Sequence, residues 1–280
     1  MKMDYVVVTF DDKLLHLTIN SIKRQPNVNR IIVIQAMRGP KGQRRMLQDF
    51  KRRGIIDVLK YEKEGLAYAR WLGIQEVQTE YFVFVDGDVI LDDIWFEVME
   101  FYLNATTEFV DSEIETHQVV IDKPPAVLFA VLARNAVHKA YLLKTEACVE
   151  EKYRMFTYDT IIKTEYVADW NPPKDLHAFE DYHMAEHIRG KDGRIWRVIN
   201  PSLHQHQGSD FKSAAWNAAG ARNVGLYKNW RDIARVFFRT IAGGFKRTFE
   251  MNNDWFAIYS IKCAFGYLYG YFRYKKYLKK

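Results

Sequence analysis

Cysteine is nearly absent from this chain, with only Cys148 and Cys263 among 280 residues. Two thiols cannot form a disulfide framework, and the usage suits a reducing compartment. No internal repeat and no low-complexity segment is present, which excludes a solenoid or a tandem array. The amino terminus MKMDYVVVTFDDK carries an apolar run too short, and too acidic on its far side, for a signal peptide. The most apolar stretch, Trp255 to Phe272, approaches the about 20 residues needed to span a bilayer only if Lys262 and polar-tipped aromatics are counted. No GxxxxGK[ST] occurs, and no glycine precedes Gly39, so the phosphate loop of a P-loop protein is missing. A nucleotidyltransferase would place a glycine-rich loop just after the first strand, where this chain has Asp11-Asp12-Lys13.

Apolar residues make up 48% and charged residues 27%, ordinary values that exclude disorder for the bulk of the chain. The length allows one large domain, or one domain with an appendage. Charge is uneven. Tyr227 to Lys280 holds twelve Lys or Arg against three Asp or Glu, so a formal net charge of +6 leaves the first 226 residues slightly acidic. The basic character belongs to the tail, which is also aromatic. Asn229–Arg247 and Asp254–Lys280 read as helices lying on an anionic membrane surface, with Lys and Arg on the wet side. Two amphipathic helices packed on the body would give a similar pattern. Nucleic acid is not expected as a partner, because the aromatics cluster with aliphatics instead of interleaving with basic residues. The expected division is 1–226 as the body and 227–280 as a membrane-associating tail.

The body alternates strands and helices. Tyr5–Phe10, Arg30–Ile34, Ile55–Lys60 and Tyr81–Val85 are β-branched or aromatic runs of strand length. Asp12–Arg24, Lys41–Arg53 and Gly65–Gln78 repeat their apolar residues at helical spacing. This order predicts an α/β fold with a mostly parallel sheet flanked by helices and right-handed crossovers. Ligands of such sheets sit beyond the carboxyl ends of the strands. Residues 104 to 122 are acidic and weakly patterned, and Ala126–Ala133 suits either strand or helix. The seven Lys or Arg between Arg38 and Arg53 read as a solvated helix face more readily than as a phosphate site.

Chemistry-bearing residues begin at the end of the fourth strand. Asp86-Gly87-Asp88 puts two carboxylates on the same side of an extended chain, with a glycine that allows close approach between them. Such hard oxygen donors suit Mg²⁺ or Mn²⁺ and the phosphates these ions carry. The same tripeptide also closes strands as an Asx turn, so the spacing alone leaves both readings open. Glu180-Asp181 stands at the start of a helix running to Arg189, where it either complements the dipole or presents a carboxylate base. After a turn at Gly190–Gly193 and a strand at Arg194–Ile199 comes His204-Gln205-His206, two imidazoles able to ligate a metal or to serve as ordinary structural residues.

Taken in order, these pieces resemble the GT-A (Rossmann-like) glycosyltransferases, and glycosyltransferase family 2 in particular, over roughly Asp4 to Gly208. Val8-Thr9-Phe10-Asp11 stands where the family's first strand meets the nucleotide, although Val8 replaces the family's proline. Gly65 to Gly73, with Arg70 between, is similar to the stretch before the family's DxD. Asp86-Gly87-Asp88 matches the DxD itself, Glu180-Asp181 the E-D motif, and His204 or His206 the late metal-contacting histidine. Gln35-Ala36 replaces the Asp-Asp that often follows the second strand.

The resemblance implies a metal-dependent, inverting transfer of a sugar from a nucleotide-diphosphate donor to a hydroxyl acceptor. Thr9, Phe10 and Asp11 would line the nucleoside pocket with Gln35 at the base, Asp86 would approach the ribose or the metal, Arg70 would contact a phosphate or hold an acidic neighbour, and Gly87 and Asp88 would complete the nucleotide-sugar site. Asp88, Asp86, His204 and His206 are the candidate ligands for Mg²⁺ or Mn²⁺, and Asp181, beside Glu180, the candidate base. The tail suggests a lipid-linked glycan as acceptor and a peripheral location on the cytoplasmic membrane face. A nucleotidyltransferase and a non-enzymatic membrane or nucleic-acid adaptor are the rival readings. The adaptor leaves all three acidic and histidine motifs without a purpose.

Overall fold

The computed structural model describes the whole chain except residues 11, 37–39, 63–64, 105–124, 134–135, 146–148, 153, 174–175, 177, 206–209 and 279–280. The chain divides into two compact units, one of Met1–Lys174 with Asp181–Gln205 and one of Asp175–Glu180 with His206–Lys280.

The first unit opens with β1 (Met3–Thr9), α1 (Leu15–Lys23), β2 (Val28–Ala36), α2 (Lys41–Arg52), β3 (Val58–Glu62), α3 (Leu66–Gln75) and β4 (Tyr81–Asp86). Every residue of β1 is buried, as the unbroken apolar run requires of a strand covered on both faces. Strands β3, β2, β1 and β4 lie side by side in that order, all parallel. The α/β class and this parallel half are as expected from the alternation. In α2 only Leu47 is fully buried, while Arg52 and Arg53 pair with Asp49 in solvent, so the basic run is a solvated face.

Beyond β4 the unit continues through β5 (Val89–Ile90), α4 (Trp95–Asn104), β6 (Val127–Ala133), α5 (Ala136–Thr145), β7 (Val149–Glu151), β8 (Asp159–Lys163), α6 (Glu180–Arg189) and β9 (Ile195–His204). The sheet extends as β4-β8-β6-β9-β5, with β7 on β9. Here β8 runs antiparallel to both β4 and β6, and β9 runs parallel to β6. Ala126–Ala133, which periodicity left open, is strand. The last strand runs further than its apolar run suggests, through Asn200-Pro201 to His204. A register shift between Ala130 and Leu132 of β6 lies opposite that proline, which has no amide to give to a ladder. One core joins β1, α1, β2, β4, α4 and β9 around Tyr5, Phe96 and the fully buried Trp95. Each such side chain contributes about 1.5–3 kcal/mol by leaving water.

The second unit is helical: α7 (Asp210–Asn223), α8 (Trp230–Met251), α9 (Trp255–Phe272) and α10 (Tyr274–Leu278). Asn229 caps α8 by accepting from Asp232 N at 3.3 Å, while Asp232 accepts from Asn229 N at 3.1 Å. Asn252 ends that helix in the left-handed region at φ 46°. Helix α9 packs on both α7 and α8. No helix among the described residues is long and apolar enough to cross a membrane.

Candidate active site

The carboxyl ends of the parallel strands gather the first group of candidate residues. Thr9 lies beside Gln35 of β2, and Val8 beside Asp86 of β4. Thr9 is buried; its hydroxyl donates to Asp12 at 2.5 Å and accepts from the Gln43 amide at 2.6 Å. Phe10 follows, 43% exposed. Gln35 is buried, and among the described residues neither end of its amide has a hydrogen-bond partner, an arrangement that costs roughly 1–3 kcal/mol per group and asks for an explanation. Asp11 lies outside the described residues.

Gly87 sits in a crowded place, where a side chain would displace the Asp12 carboxylate. A Cβ there would stand 2.4 Å from the Asp12 carboxylate and 3.0 Å from Thr9 Cβ. The Asp12 carboxyl is pushed up to about 6 by burial, against the hydrogen bond from Thr9, and further by the nearby charges of Asp88 and Asp86. The three carboxyls therefore form one electronegative recess. Asp86 accepts from Arg70 Nη2 at 2.9 Å. Burial raises the Asp86 carboxyl above its ordinary value, Arg70 opposes this, and Asp88 adds to it. Arg70 is itself buried, 5.3 Å over the Phe84 ring, so the pair is held from both sides.

Asp88 and His204, separated by 116 positions in the chain, meet at 2.7 Å between Oδ2 and Nε2. Antiparallel pairing of Val89 with His204, and a bond from Gln205 N to Asp88 O at 2.7 Å, fix this meeting in the backbone. An ionised Asp88 can only accept, so the imidazole donates through Nε2. Moving that proton to Nδ1 or to solvent would free the Nε2 lone pair, and the carboxylate oxygen and imidazole nitrogen would then be a donor set that a divalent cation accepts. Among the described residues no group of three His, Cys, Asp or Glu is close enough to hold a metal alone, so further ligands would come from diphosphate and water. His206 lies outside the described residues.

Asp181 accepts from Arg154 Nη2 at 3.0 Å and from its neighbour Tyr182 N at 2.7 Å. Arg154 lies 5.1 Å over Phe156, which stacks on Tyr158 at 5.2 Å. The Tyr158 carbonyl in turn accepts from Asp86 N at 3.1 Å. Burial drives the Tyr158 hydroxyl well above its ordinary value, and the charges of Asp159 and Asp181 both push the same way. One line of contacts thus connects Asp181 to the Asp86 strand end. Glu180 is buried at the first position of α6, after Phe179 at φ 66°.

Three participants have no motif in the sequence. Asp12 was hidden behind Asp11. Arg154 carries no local signal. Asp159 accepts from Ser202 at 2.5 Å, and burial raises its carboxyl well above the ordinary range. Its short run Asp159–Lys163 (DTIIK) is a strand signal that could have been read.

A model described as glycosyl transferase family 2 matches residues 5–157, more than half of the chain. The chain belongs to glycosyl transferase family 2. No curated protein matches this chain. Among solved structures it is similar to S. aureus TarS, at a TM-score of 0.52 and 14% identity, covering 82% of this chain and 40% of that one. The mannosyltransferase PcManGT from Pyrobaculum calidifontis, in complex with GDP-Man and Mn²⁺, aligns at 0.58 and 13% identity, over 96% and 87%. GalNAc-T7 with UDP, GalNAc and Mn²⁺ aligns at 0.55 and 14% identity, over 91% and 56%. The chain thus spans about 40% of the TarS chain, and at these identities the shared property is the GT-A fold.

Proposed function

We propose that this glycosyltransferase moves a sugar from a nucleotide-diphosphate donor to a hydroxyl acceptor with inversion at the anomeric carbon. The observation that carries the reading is the 2.7 Å meeting of Asp88 with His204 at the carboxyl end of β4, beside the Thr9–Asp12 contact. Structural relatives bound to GDP-Man or UDP together with Mn²⁺ support it. Thr9, Phe10 and Gln35 face the nucleoside in this reading, and a base edge would give the Gln35 amide the partner it lacks among the described residues. Asp88 and His204 would hold Mg²⁺ or Mn²⁺, which when bound supplies positive charge to the leaving diphosphate. Asp86 is oriented by Arg70, and Asp181 by Arg154. Asp181 takes the proton of the acceptor hydroxyl, the freed oxygen bonds to the anomeric carbon, and the bond to the diphosphate oxygen breaks on the opposite side.

The acceptor in this reading is a lipid-linked glycan, reached from the cytoplasmic face of a membrane by residues 227–280. Supporting this, α8 exposes Phe238, Phe245 and Phe249, and α9 exposes Ile258, Ile261, Phe265, Tyr269 and Phe272. The second set recurs at helical spacing along one face, and Phe237 of α8 packs edge-on to Phe265 at 5.4 Å. Exposed apolar stripes rimmed by Lys and Arg match an interfacial surface.

The catalytic test is release of free nucleoside diphosphate from a panel of sugar nucleotides, with and without Mn²⁺. Asp88→Ala should abolish the metal stimulation, and Asp181→Asn should lower turnover by roughly 10²–10⁴-fold. Diphosphate release that survives Asp181→Asn unchanged would remove Asp181 as base, and no release from any donor would end the proposal.

A further inference from the structure

The second unit contains a cavity of about 570 Å³ that the catalytic reading does not use. Arg222, Arg273, Lys275 and Lys276 line it together with Tyr269 and Tyr274, and no acid does. Among the described residues none of the four cations stands in an ion pair. Part of this charge serves the end of α9, where Arg222 donates to the Tyr271 carbonyl at 2.6 Å. A helix end offers only about half an elementary charge, which leaves most of four positive charges uncompensated.

Arg222 is also held in place. Its guanidinium lies 4.4 Å over the Tyr271 ring and 4.2 Å over the Tyr274 ring. A fixed planar fork loses little freedom on binding and suits phosphate oxygens. The volume is that of a small-ligand site. Position decides the source of the ligand. Tyr269 and Phe272 line the cavity and also belong to the exposed apolar face of α9, with Phe272 64% exposed. The cluster of cations therefore borders the surface that would meet lipid.

We propose that this cavity binds the phosphate group of an anionic lipid headgroup, favouring a phosphate monoester or diphosphate over a phosphodiester. It rests on the membrane reading of residues 227–280 and deepens it from general charge attraction to recognition of one chemical group. A monoester or diphosphate carries more charge and more free oxygens than a diester, and four converging cations reward that difference.

The test uses the full chain and phosphatidylcholine vesicles doped with phosphatidic acid, or with phosphatidylserine to the same surface potential. Wild type should prefer phosphatidic acid by about tenfold, given the worth of each Lys or Arg at an anionic surface. The variant Arg273→Gln/Lys275→Gln/Lys276→Gln, at three exposed positions, should bring that ratio to about one. A control on exposed positions of α8, Arg231→Gln/Arg235→Gln/Arg239→Gln, should weaken binding to both vesicles and leave the ratio intact. Equal binding of wild type to both vesicles, or a ratio that survives the cavity variant, overturns the proposal. Calorimetry with inorganic pyrophosphate and no lipid separates the sources. Binding that the cavity variant loses supports the phosphate site with a soluble ligand, and absence of binding alongside a lipid preference supports the lipid. Failure of wild type to bind any anionic vesicle ends the membrane reading. If pyrophosphate then binds at the cavity the phosphate site stands, and if it does not both fail.

Discussion

Asp4 shows how much one side chain can carry. It is fully buried in β1, and burial alone would raise its carboxyl. Arg30 at 2.8 Å, Gln78 N at 2.8 Å and Asn29 at 2.8 Å outweigh that cost and hold it below the ordinary carboxylate value. A carboxyl lowered by folding stabilises the protein fully above its unfolded pKa, and that contribution is lost as pH falls through the folded value. Asp4→Asn should therefore destabilise the protein by roughly 3 kcal/mol in urea titrations at neutral pH, because Arg30 loses its buried partner. The gap between variant and wild type should close as pH drops below the ordinary 3.8; a gap unchanged in acid would contradict the account. Similar reasoning explains which site residues were readable. Asp88 and His204 belong to short local patterns, whereas Arg154 acts only through a partner 27 positions away, and no local pattern marks such a residue.

At the scale of elements, helix α9 explains why its sequence looks apolar all round. Its small residues Ser260, Ala264, Gly266 and Gly270 are buried along with Phe256 and Tyr271, while Ile258, Phe265 and Phe272 face outward. A Cβ on Gly270 would stand 2.0 Å from the Ala215 carbonyl of α7, and backbone cannot step aside. Gly270→Ala should destabilise by about 1–3 kcal/mol through overpacking, although alanine is the better helix former. Gly243 of α8 tests the opposite sign, since nothing lies within 4 Å of its added Cβ. Gly243→Ala should stabilise by about 0.5–1 kcal/mol. Thermal melts followed by circular dichroism give both signs, and a stabilising Gly270→Ala would refute the close seam. The strands divide in the same way. Alternation revealed β1 to β4, while β5, with two residues, and β7, with three, are too short for a pattern and exist through their pairing with β9.

For the whole molecule, charge and apolar surface are both concentrated late in the chain. Ala218, Ile233 and Tyr271 form a separate small core there. Deleting residues 227–280 would uncover the face of α7 that α9 covers, so point substitutions on the intact chain are the sounder probe of membrane binding. Phe238→Ser with Phe249→Ser removes two rings that are 68% and 83% exposed. If they enter a bilayer interface, partitioning onto anionic vesicles should fall by roughly 10²–10⁴-fold, given about 1.5–3 kcal/mol for burying each ring. Unchanged vesicle sedimentation would show that these rings do not enter the lipid.

The sequence by itself determined the α/β alternation, the parallel half of the sheet, the family, the acidic and histidine clusters, and the basic aromatic tail. Each is written in residues close together, where period, run length and short motifs report directly. Only tertiary structure decided that Asp88 meets His204, that Arg70 and Arg154 orient the two other acids, that Asp12 presses on Gly87, and that four cations share one cavity. Those relations depend on which strands pair and which helices touch. Pairing brings distant positions together by burying shared surface, and that choice leaves no trace at either position alone.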